Sequence, residues 1–164
     1  LEKSIFMQGL ITQTTQLIKD NIYPVIATVT EDGQPWNTPV YAVHDDAYTF
    51  YWKSWKDAQH SKNIAGNERV FLTIFDSTRA LGTNHRQCVY IQAVAQRIDS
   101  EEEIQHAMSL FPEDKQESVE ALEASVRRLY KATPVAVWLN NKSESEVTEE
   151  SVKMRIEVPL DKLQ

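Results

Sequence analysis

The sequence is poor in the residues that mark several common classes of protein. It contains one cysteine, Cys88, and four glycines among 164 residues. A single cysteine excludes a disulfide within the chain, and the histidines show no spacing typical of a zinc site. Four glycines form neither of the glycine-rich loops that bind dinucleotides or nucleoside triphosphates. We therefore expect no metal site, and a Cys88 that is a small buried residue rather than a nucleophile.

Long apolar stretches and excess positive charge are also missing. No apolar run approaches the roughly 20 residues of a membrane-spanning helix, and the formal net charge is −7. A general nucleic-acid binder needs a basic surface, which this composition does not provide. The start of the sequence shows no signal-peptide pattern. These features predict a cytoplasmic protein without membrane or nucleic-acid partners.

The pattern of apolar residues predicts an N-terminal helix followed by antiparallel strands. Apolar residues recur at the helical period over residues 2–20, and Pro24 cannot continue that helix. The period then changes to two, with a tight turn at Glu31-Asp32-Gly33. We predict three strands that pair in direct succession as a meander, over residues 25–30, 35–43 and 47–53.

The rest of the chain predicts further strands separated by helices. Residues 57–65 and 115–130 have helical patterns, and Ser100 precedes three glutamates as a helix N-cap does. Strands are predicted over residues 70–75, 88–98, 135–139 and 152–158. About seven strands with helices at the periphery indicate a single α+β domain built on a small closed or nearly closed barrel.

Polar residues collect where the third predicted strand passes into the short helix. Lys53 and Ser54 end the strand, and the helix begins with the run Gln59 to Asn63. Free N–H groups at a helix start attract anions, and His60 and Lys62 could add positive charge. The run therefore predicts a phosphate clamp, beside aromatic residues that could pack against a flat ring. The alternative is a capped surface helix whose aromatic neighbours belong to the core.

The order of these segments resembles the pyridoxamine 5′-phosphate oxidase-like family of flavin-binding split β-barrels. The resemblance covers roughly residues 20–140 and rests on the ordered stretches YPVIATVTEDGQPWNTPVYAV, YTFYWKS, QHSKNIAGNERVFLTIFDS, CVYIQAVAQRI and RRLYKATPVAVWL. It implies a six- to seven-stranded antiparallel split β-barrel with peripheral helices, as a single FMN-binding domain over residues 1–164 with the barrel over 23–158. It also implies a homodimer that holds FMN in clefts between the subunits and acts on a small-molecule substrate.

The resemblance further implies which positions contact the flavin. They are a contact run, the end of the third strand, the helix start, the long strand and one residue from the second subunit. In that order they are Thr38, Pro39, Val40, Tyr41 and Ala42, ending at Val43; Tyr51, Trp52, Lys53 and Ser54; Gln59, His60, Ser61, Lys62 and Asn63; Gln87 or its neighbour Cys88; and Trp138. No catalytic side chain is expected, because a flavin carries the redox chemistry itself.

The sequence departs from the true oxidases at charged positions. Those enzymes have Arg and Lys at the two ends of the contact run, where this chain has Thr38 and Val43. They have an Arg-Lys pair at the helix start, where this chain has Gln59-His60. An arginine-rich C-terminal segment for pyridoxal phosphate is not evident either. The resemblance therefore predicts an FMN-dependent oxidoreductase that does not act on pyridoxamine phosphate.

Two other cofactors are compatible with this sequence. A split barrel could hold flavin or haem without turnover, and His44, His60 or His85 could then be an iron ligand. A deazaflavin could also replace FMN, because the charged phosphate contacts of the oxidases are missing.

Overall fold

The first element of the fold is a long helix that packs against the core of a barrel. The structure, a computed structural model, describes residues 2–78, 87–140 and 155–163. Helix α1 (Glu2–Asp20) confirms the helix predicted over residues 2–20. Its Leu10, Leu17 and Ile18 are buried in the barrel core, which explains the apolar spacing in the sequence. None of the helices in these ranges is long and apolar enough to cross a membrane.

The strands form one curled antiparallel sheet. Seven of them follow the order β2-β1-β5-β6-β7-β4-β3, and an eighth pairs with β7. They are β1 (Val25–Val29), β2 (Pro35–Pro39), β3 (Ala42–His44), β4 (Phe50–Trp55), β5 (Arg69–Phe75), β6 (Cys88–Arg97), β7 (Arg127–Asn140) and β8 (Arg155–Val158). Gly33 turns the chain between β1 and β2 with a φ of 87°, a conformation that favours glycine. The predicted α+β split barrel is confirmed.

The predicted single strand over residues 35–43 is wrong, although both consecutive antiparallel pairings of the predicted meander are present. The segment forms two strands with different partners, since β2 pairs with β1 and β3 pairs with β4. Between them the N–H of Val40 donates to the Pro24 carbonyl at 3.0 Å and the N–H of Ala42 to the Ile22 carbonyl at 3.1 Å. Because β2 and β3 are the two ends of the sheet order and follow each other in the chain, the barrel is split between them. We call this junction, residues 38–43, the seam.

The helix predicted over residues 115–130 is also wrong. A short 3₁₀ turn is followed by α4 (Val119–Ala124), and β7 begins at Arg127. The strand predicted over 135–139 is the second half of this 14-residue strand. Leu129 and Tyr130 are both buried, on opposite faces of the sheet. A strand can bury adjacent residues in two different cores, whereas a helix with one apolar face cannot.

Two further helices complete the fold. Helix α2 (Gln59–Gly66) lies close to the prediction over 57–65, and α3 (Glu101–Ser109) begins after Ser100, whose side chain accepts from the N–H of Glu103. The predicted N-cap is therefore confirmed. The prediction for residues 152–158 is confirmed over β8, while residues 152–154 lie outside the described ranges.

The hydrophobic residues form two cores on opposite faces of the sheet. One fills the barrel and includes Phe50 and Trp52 of β4. The other lies between the outer face of the sheet and helices α3 and α4, and we call it the α3–α4 layer; it includes Tyr51 and Leu129. The alternation along β4 thus sends neighbouring residues into different environments. Cys88 is a buried free cysteine, as predicted.

Candidate functional site

Helix α2 begins without the side chain that usually satisfies a helix start. Ala58 is its N-cap, in an extended conformation, and makes no side-chain hydrogen bond. The first turn contains no acidic residue. The first N–H groups of a helix carry a partial positive charge, so this end remains suited to an anion. The backbone at the predicted clamp therefore has the required character.

His60 of α2 is buried and joins the helix to β4. Its Nε2 lies 2.6 Å from the Oγ of Ser54, and the two residues are only 6% and 9% exposed. Burial lowers the pKa of the imidazole, because the charged form loses its hydration. Burial thus favours the neutral imidazole of His60, and the positive charge expected from it at the clamp is disfavoured.

Asn63 joins the same helix to the other side of the barrel. Its Nδ2 donates to the Oγ1 of Thr28 on β1 at 2.9 Å, and its Oδ1 accepts from Gln59 at 2.8 Å. Thr28 in turn donates to the Trp36 carbonyl of β2 at 3.3 Å. Asn63 and Thr28 are buried, so these polar side chains satisfy one another where water does not reach.

The seam carries the predicted contact run, and its residues differ in what they offer a ligand. Val40 and Ala42 are buried, and their N–H groups donate to the carbonyls of Pro24 and Ile22. Thr38 and Tyr41 are partly exposed and Pro39 is exposed. The ring of Tyr41 packs between those of Tyr23, at 5.8 Å, and Phe111, at 6.1 Å. A ligand at the seam would therefore meet side chains more than free backbone.

The predicted contacts on β4 are engaged in the two cores. Tyr51 donates to Asp45 at 3.0 Å in the α3–α4 layer, and burial followed by the bond to Asp45 raises its pKa to about 12. Trp52 is fully buried in the barrel and stacks on Tyr130, with ring centres 5.8 Å apart.

Lys53 points away from α2. Its Nζ lies 2.5 Å from the carboxylate of Glu117, donates to the Lys115 carbonyl at 2.6 Å and sits 5.3 Å from the ring centre of Phe111. Glu117 also pairs with Arg127 at 3.1 Å. The ammonium group therefore fixes the α3–α4 layer to β4.

Trp138 lies on the outer face of the sheet. Its ring stacks on Phe71 at 6.4 Å, and Arg155 of β8 lies 3.8 Å from the ring centre of the neighbouring Tyr90. We call these four residues the aromatic face. β7 pairs with β4, the neighbour of β3, only through residues 127–132, and Trp138 pairs instead with Tyr90 and Glu157, so no β-ladder of the described residues places it beside the seam of its own chain.

Gln87, just before β6, lines a different groove of about 820 Å³ that runs beside α1. The other residues around that groove include Gln8, Gln13, Gln16 and Asn21. None of the other predicted contacts lines it. The structure therefore separates Gln87 from the residues of the seam and of α2.

A second cavity, of about 530 Å³, opens between α2 and the ends of β6 and β7. Ser61 and Lys62 are the members of the predicted clamp that line it, together with Lys56, Arg97 and Tyr130. Sequence reasoning missed the last three. Arg97, at the end of β6, meets α2 around this cavity from more than 30 residues away, and no local pattern signals that approach.

His44 at the end of β3 has an unusually fixed ring. Its Nδ1 lies 2.9 Å from the Asp45 carbonyl, which can only accept, so Nδ1 is the donor and, in the neutral imidazole, Nε2 has the lone pair. Tyr48 stacks on it at 5.1 Å and reaches that position with a φ of 59°, which is rare for a residue other than glycine. His85 lies outside the described ranges. Within them, no three His, Cys, Asp or Glu residues group to hold a metal ion.

Solved structures of low sequence identity share this fold. A haem-binding protein from Mycobacterium smegmatis has a TM-score of 0.70 and 15% identity over 93% of this chain, which spans 59% of that protein. HutZ, the haem storage protein from Vibrio cholerae, has a TM-score of 0.62 and 19% identity over 75% of this chain and 88% of its own. General Stress Protein 26 from Bacillus anthracis has a TM-score of 0.59 and 16% identity over 79% of this chain and 92% of its own.

Sequence comparison gives the family directly. No curated protein sequence matches the chain significantly. The family model for pyridoxamine 5′-phosphate oxidase matches residues 11–141, which include most of α1, the seam, α2 and every strand from β1 to β7. The chain therefore belongs to the pyridoxamine 5′-phosphate oxidase family.

Proposed function

We propose that this protein is an FMN-dependent oxidoreductase that works as a homodimer in the cytoplasm. The continuous family match over residues 11–141 carries the proposal, because it contains the seam and α2 in the expected order. The flavin would supply the redox chemistry, and the protein would position the ring and limit access to it. Pyridoxamine phosphate is not the proposed substrate, because Thr38, Val43 and Gln59-His60 replace the charged residues of the oxidases.

The start of α2 supports a phosphate contact in this proposal. It has no side-chain cap and no acidic residue in its first turn, so its N–H groups could donate to the cofactor phosphate. His60 is buried and its pKa is lowered, so it contributes little positive charge near neutral pH. We therefore expect FMN to bind with modest affinity and to be lost in part during purification.

The outer sheet face supports the proposed dimer. Phe75 of β5 and Val135 of β7 are 49% and 53% exposed, and both strands carry residues of the aromatic face. Exposed apolar residues grouped on one face are typical of an interface. A partner subunit docked there could also bring its own Trp138 to the cofactor.

An absorption spectrum of the purified protein, before and after addition of FMN, tests the proposal. We expect a flavin spectrum shifted by the protein, and a dimer by light scattering. Titration with a deazaflavin in competition separates the two flavin types. Absence of flavin binding at micromolar concentrations of both components would overturn the proposal.

Haem is the second candidate, and the geometry of His44 is the observation that favours it. A backbone carbonyl fixes its Nδ1–H, which leaves Nε2 as the nitrogen that binds iron. A porphyrin supplies four ligands itself, so a single histidine suffices. The Nε2 of His60, by contrast, is already bonded to Ser54.

Haem titration of three proteins tests this candidate. We expect a Soret band in the wild type and in His106→Ala, an exposed-histidine control, and loss of that band in His44→Ala. An unchanged band in His44→Ala would reject His44 as the ligand.

A further inference from the structure

The cavity between α2 and the ends of β6 and β7 concentrates positive charge in an acidic protein. Its lining contains three cationic side chains and one carboxylate. They are Lys56, Lys62, Arg97 and Glu68. Because Asp99 pairs with Arg97, the balance around the cavity is three positive charges against two negative, while the whole chain has a formal net charge of −7. A concave surface of one sign attracts ions of the opposite sign.

Both lysines are available to a ligand. Neither Lys56 nor Lys62 forms an ion pair or a side-chain hydrogen bond with another residue of the described ranges. Arg97 pairs with Asp99, with 2.7 Å between Nε and Oδ1, and both side chains are more than half exposed. An exposed pair of this kind is weak, so a bound anion can share the guanidinium.

The walls of the cavity are well fixed. Tyr130 is 3% exposed and stacks on Trp52, and its hydroxyl has no hydrogen-bond partner within the described ranges. The hydroxyl of Ser61 donates to the Trp55 carbonyl at 2.8 Å, which holds the first turn of α2 in place. The N–H of Ala95 donates to the Glu68 carbonyl at 2.7 Å and fixes the opposite wall. A ligand would thus meet a largely preformed site.

We propose that this cavity binds the phosphate group of a small ligand, at a site separate from the seam. Two free ammonium groups beside a guanidinium match a doubly charged phosphate better than a single carboxylate. A volume of about 530 Å³ accommodates a small phosphorylated molecule. None of the contact run, residues 38–43, lines the cavity. The proposal does not depend on which cofactor the protein carries.

Calorimetric titration with inorganic pyrophosphate tests this site. We expect one site per chain, and about tenfold or greater loss of affinity in the double variant Lys56→Ala/Lys62→Ala, since both ammonium groups would form charge-assisted contacts. The matched control is Lys19→Ala/Lys162→Ala, which removes the same charge from two exposed lysines elsewhere. No binding to the wild type, or equal loss in the two double variants, would overturn the proposal.

A repeat of the titration with FMN present identifies the source of the phosphate. Displacement of pyrophosphate by FMN would assign the cavity to the cofactor phosphate. Simultaneous binding would assign it to a second phosphorylated ligand. Only simultaneous binding supports a site separate from that of the cofactor, and displacement would overturn it; the flavin spectrum reports separately on the proposed redox function.

Discussion

The Nε2 of His60 lies 2.6 Å from the Oγ of Ser54, and this buried contact ties the start of α2 to the end of β4. Because burial lowers the pKa of His60, the unfolded chain binds a proton at a higher pH than the folded protein does. The free energy of unfolding should therefore fall as the pH drops below the ordinary histidine value of 6.5.

Replacement of His60 by glutamine tests that dependence. His60→Gln removes the titrating group but keeps an atom able to bond Ser54, so the part of the pH dependence below 6.5 should shrink. Urea unfolding from pH 8 to pH 5 measures it. His106→Gln, at an exposed histidine, should keep the wild-type slope. Parallel curves for His60→Gln and the wild type would contradict the assignment.

Removal of the Asn63 side chain should destabilise the junction of α2 with β1. Asn63→Ala leaves the buried Thr28 without the amide that donates to it, and Gln59 without its acceptor. We expect a loss of about 1–3 kcal/mol in the free energy of unfolding. Urea unfolding measures it, with the exposed Gln105→Ala as a control expected near zero. A loss no greater than that of the control would show that this network contributes little.

A substitution at Lys53 tests whether this residue contacts the cofactor, as the resemblance implies, or stabilises the α3–α4 layer, as its contacts indicate. Lys53→Met removes the cation that bonds Glu117 and the Lys115 carbonyl, while Arg127 still pairs with the carboxylate. We expect the free energy of unfolding to fall by about 1–3 kcal/mol. FMN affinity in a fluorescence titration should be unchanged, because the ammonium lies in the α3–α4 layer. Weaker FMN binding by a folded Lys53→Met protein would restore Lys53 as a cofactor contact.

Two exposed valines test where subunits meet. Val135 lies on β7, three residues before Trp138 of the aromatic face, and Val126 precedes β7; they are 53% and 58% exposed. Val135→Lys should place a charge in the proposed interface and dissociate the dimer, while Val126→Lys should not. Sedimentation velocity measures the oligomeric state. A Val135→Lys protein that remains dimeric would place the interface elsewhere.

The sequence correctly predicted the elements whose apolar residues recur at one period because they all face one core. Helix α1 has one buried face, and β5 lies in the middle of the sheet, so their periodicities are simple. Around residue 125 the spacing of apolar residues comes from two different elements, a helix and a strand. Leu122 and Leu129 have helical spacing and share the α3–α4 layer, but one belongs to a helix and the other to a strand. Spacing alone does not reveal that the chain reverses between them.

Site residues were harder to predict because partners distant in sequence decide where side chains point. Lys53 resembles a cation free to bind phosphate until Glu117, 64 positions later, is placed beside it. The split between β2 and β3 depends on the carbonyls of Ile22 and Pro24, which no local signal connects to Val40 and Ala42. The order of the segments, by contrast, identified the family, because order survives changes in individual residues.

Helix α2 is bonded through Asn63 to β1 and through His60 to β4, and each of these strands is second from an opposite end of the sheet order. Helix α2 thus connects the two margins of a sheet whose end strands, β2 and β3, are not paired with each other. A ligand that shifts this helix would displace β1 and β4 together, because α2 is bonded to both directly and not through β5, β6 and β7. A ligand bound on one side of α2 would then change ligand binding on the other side.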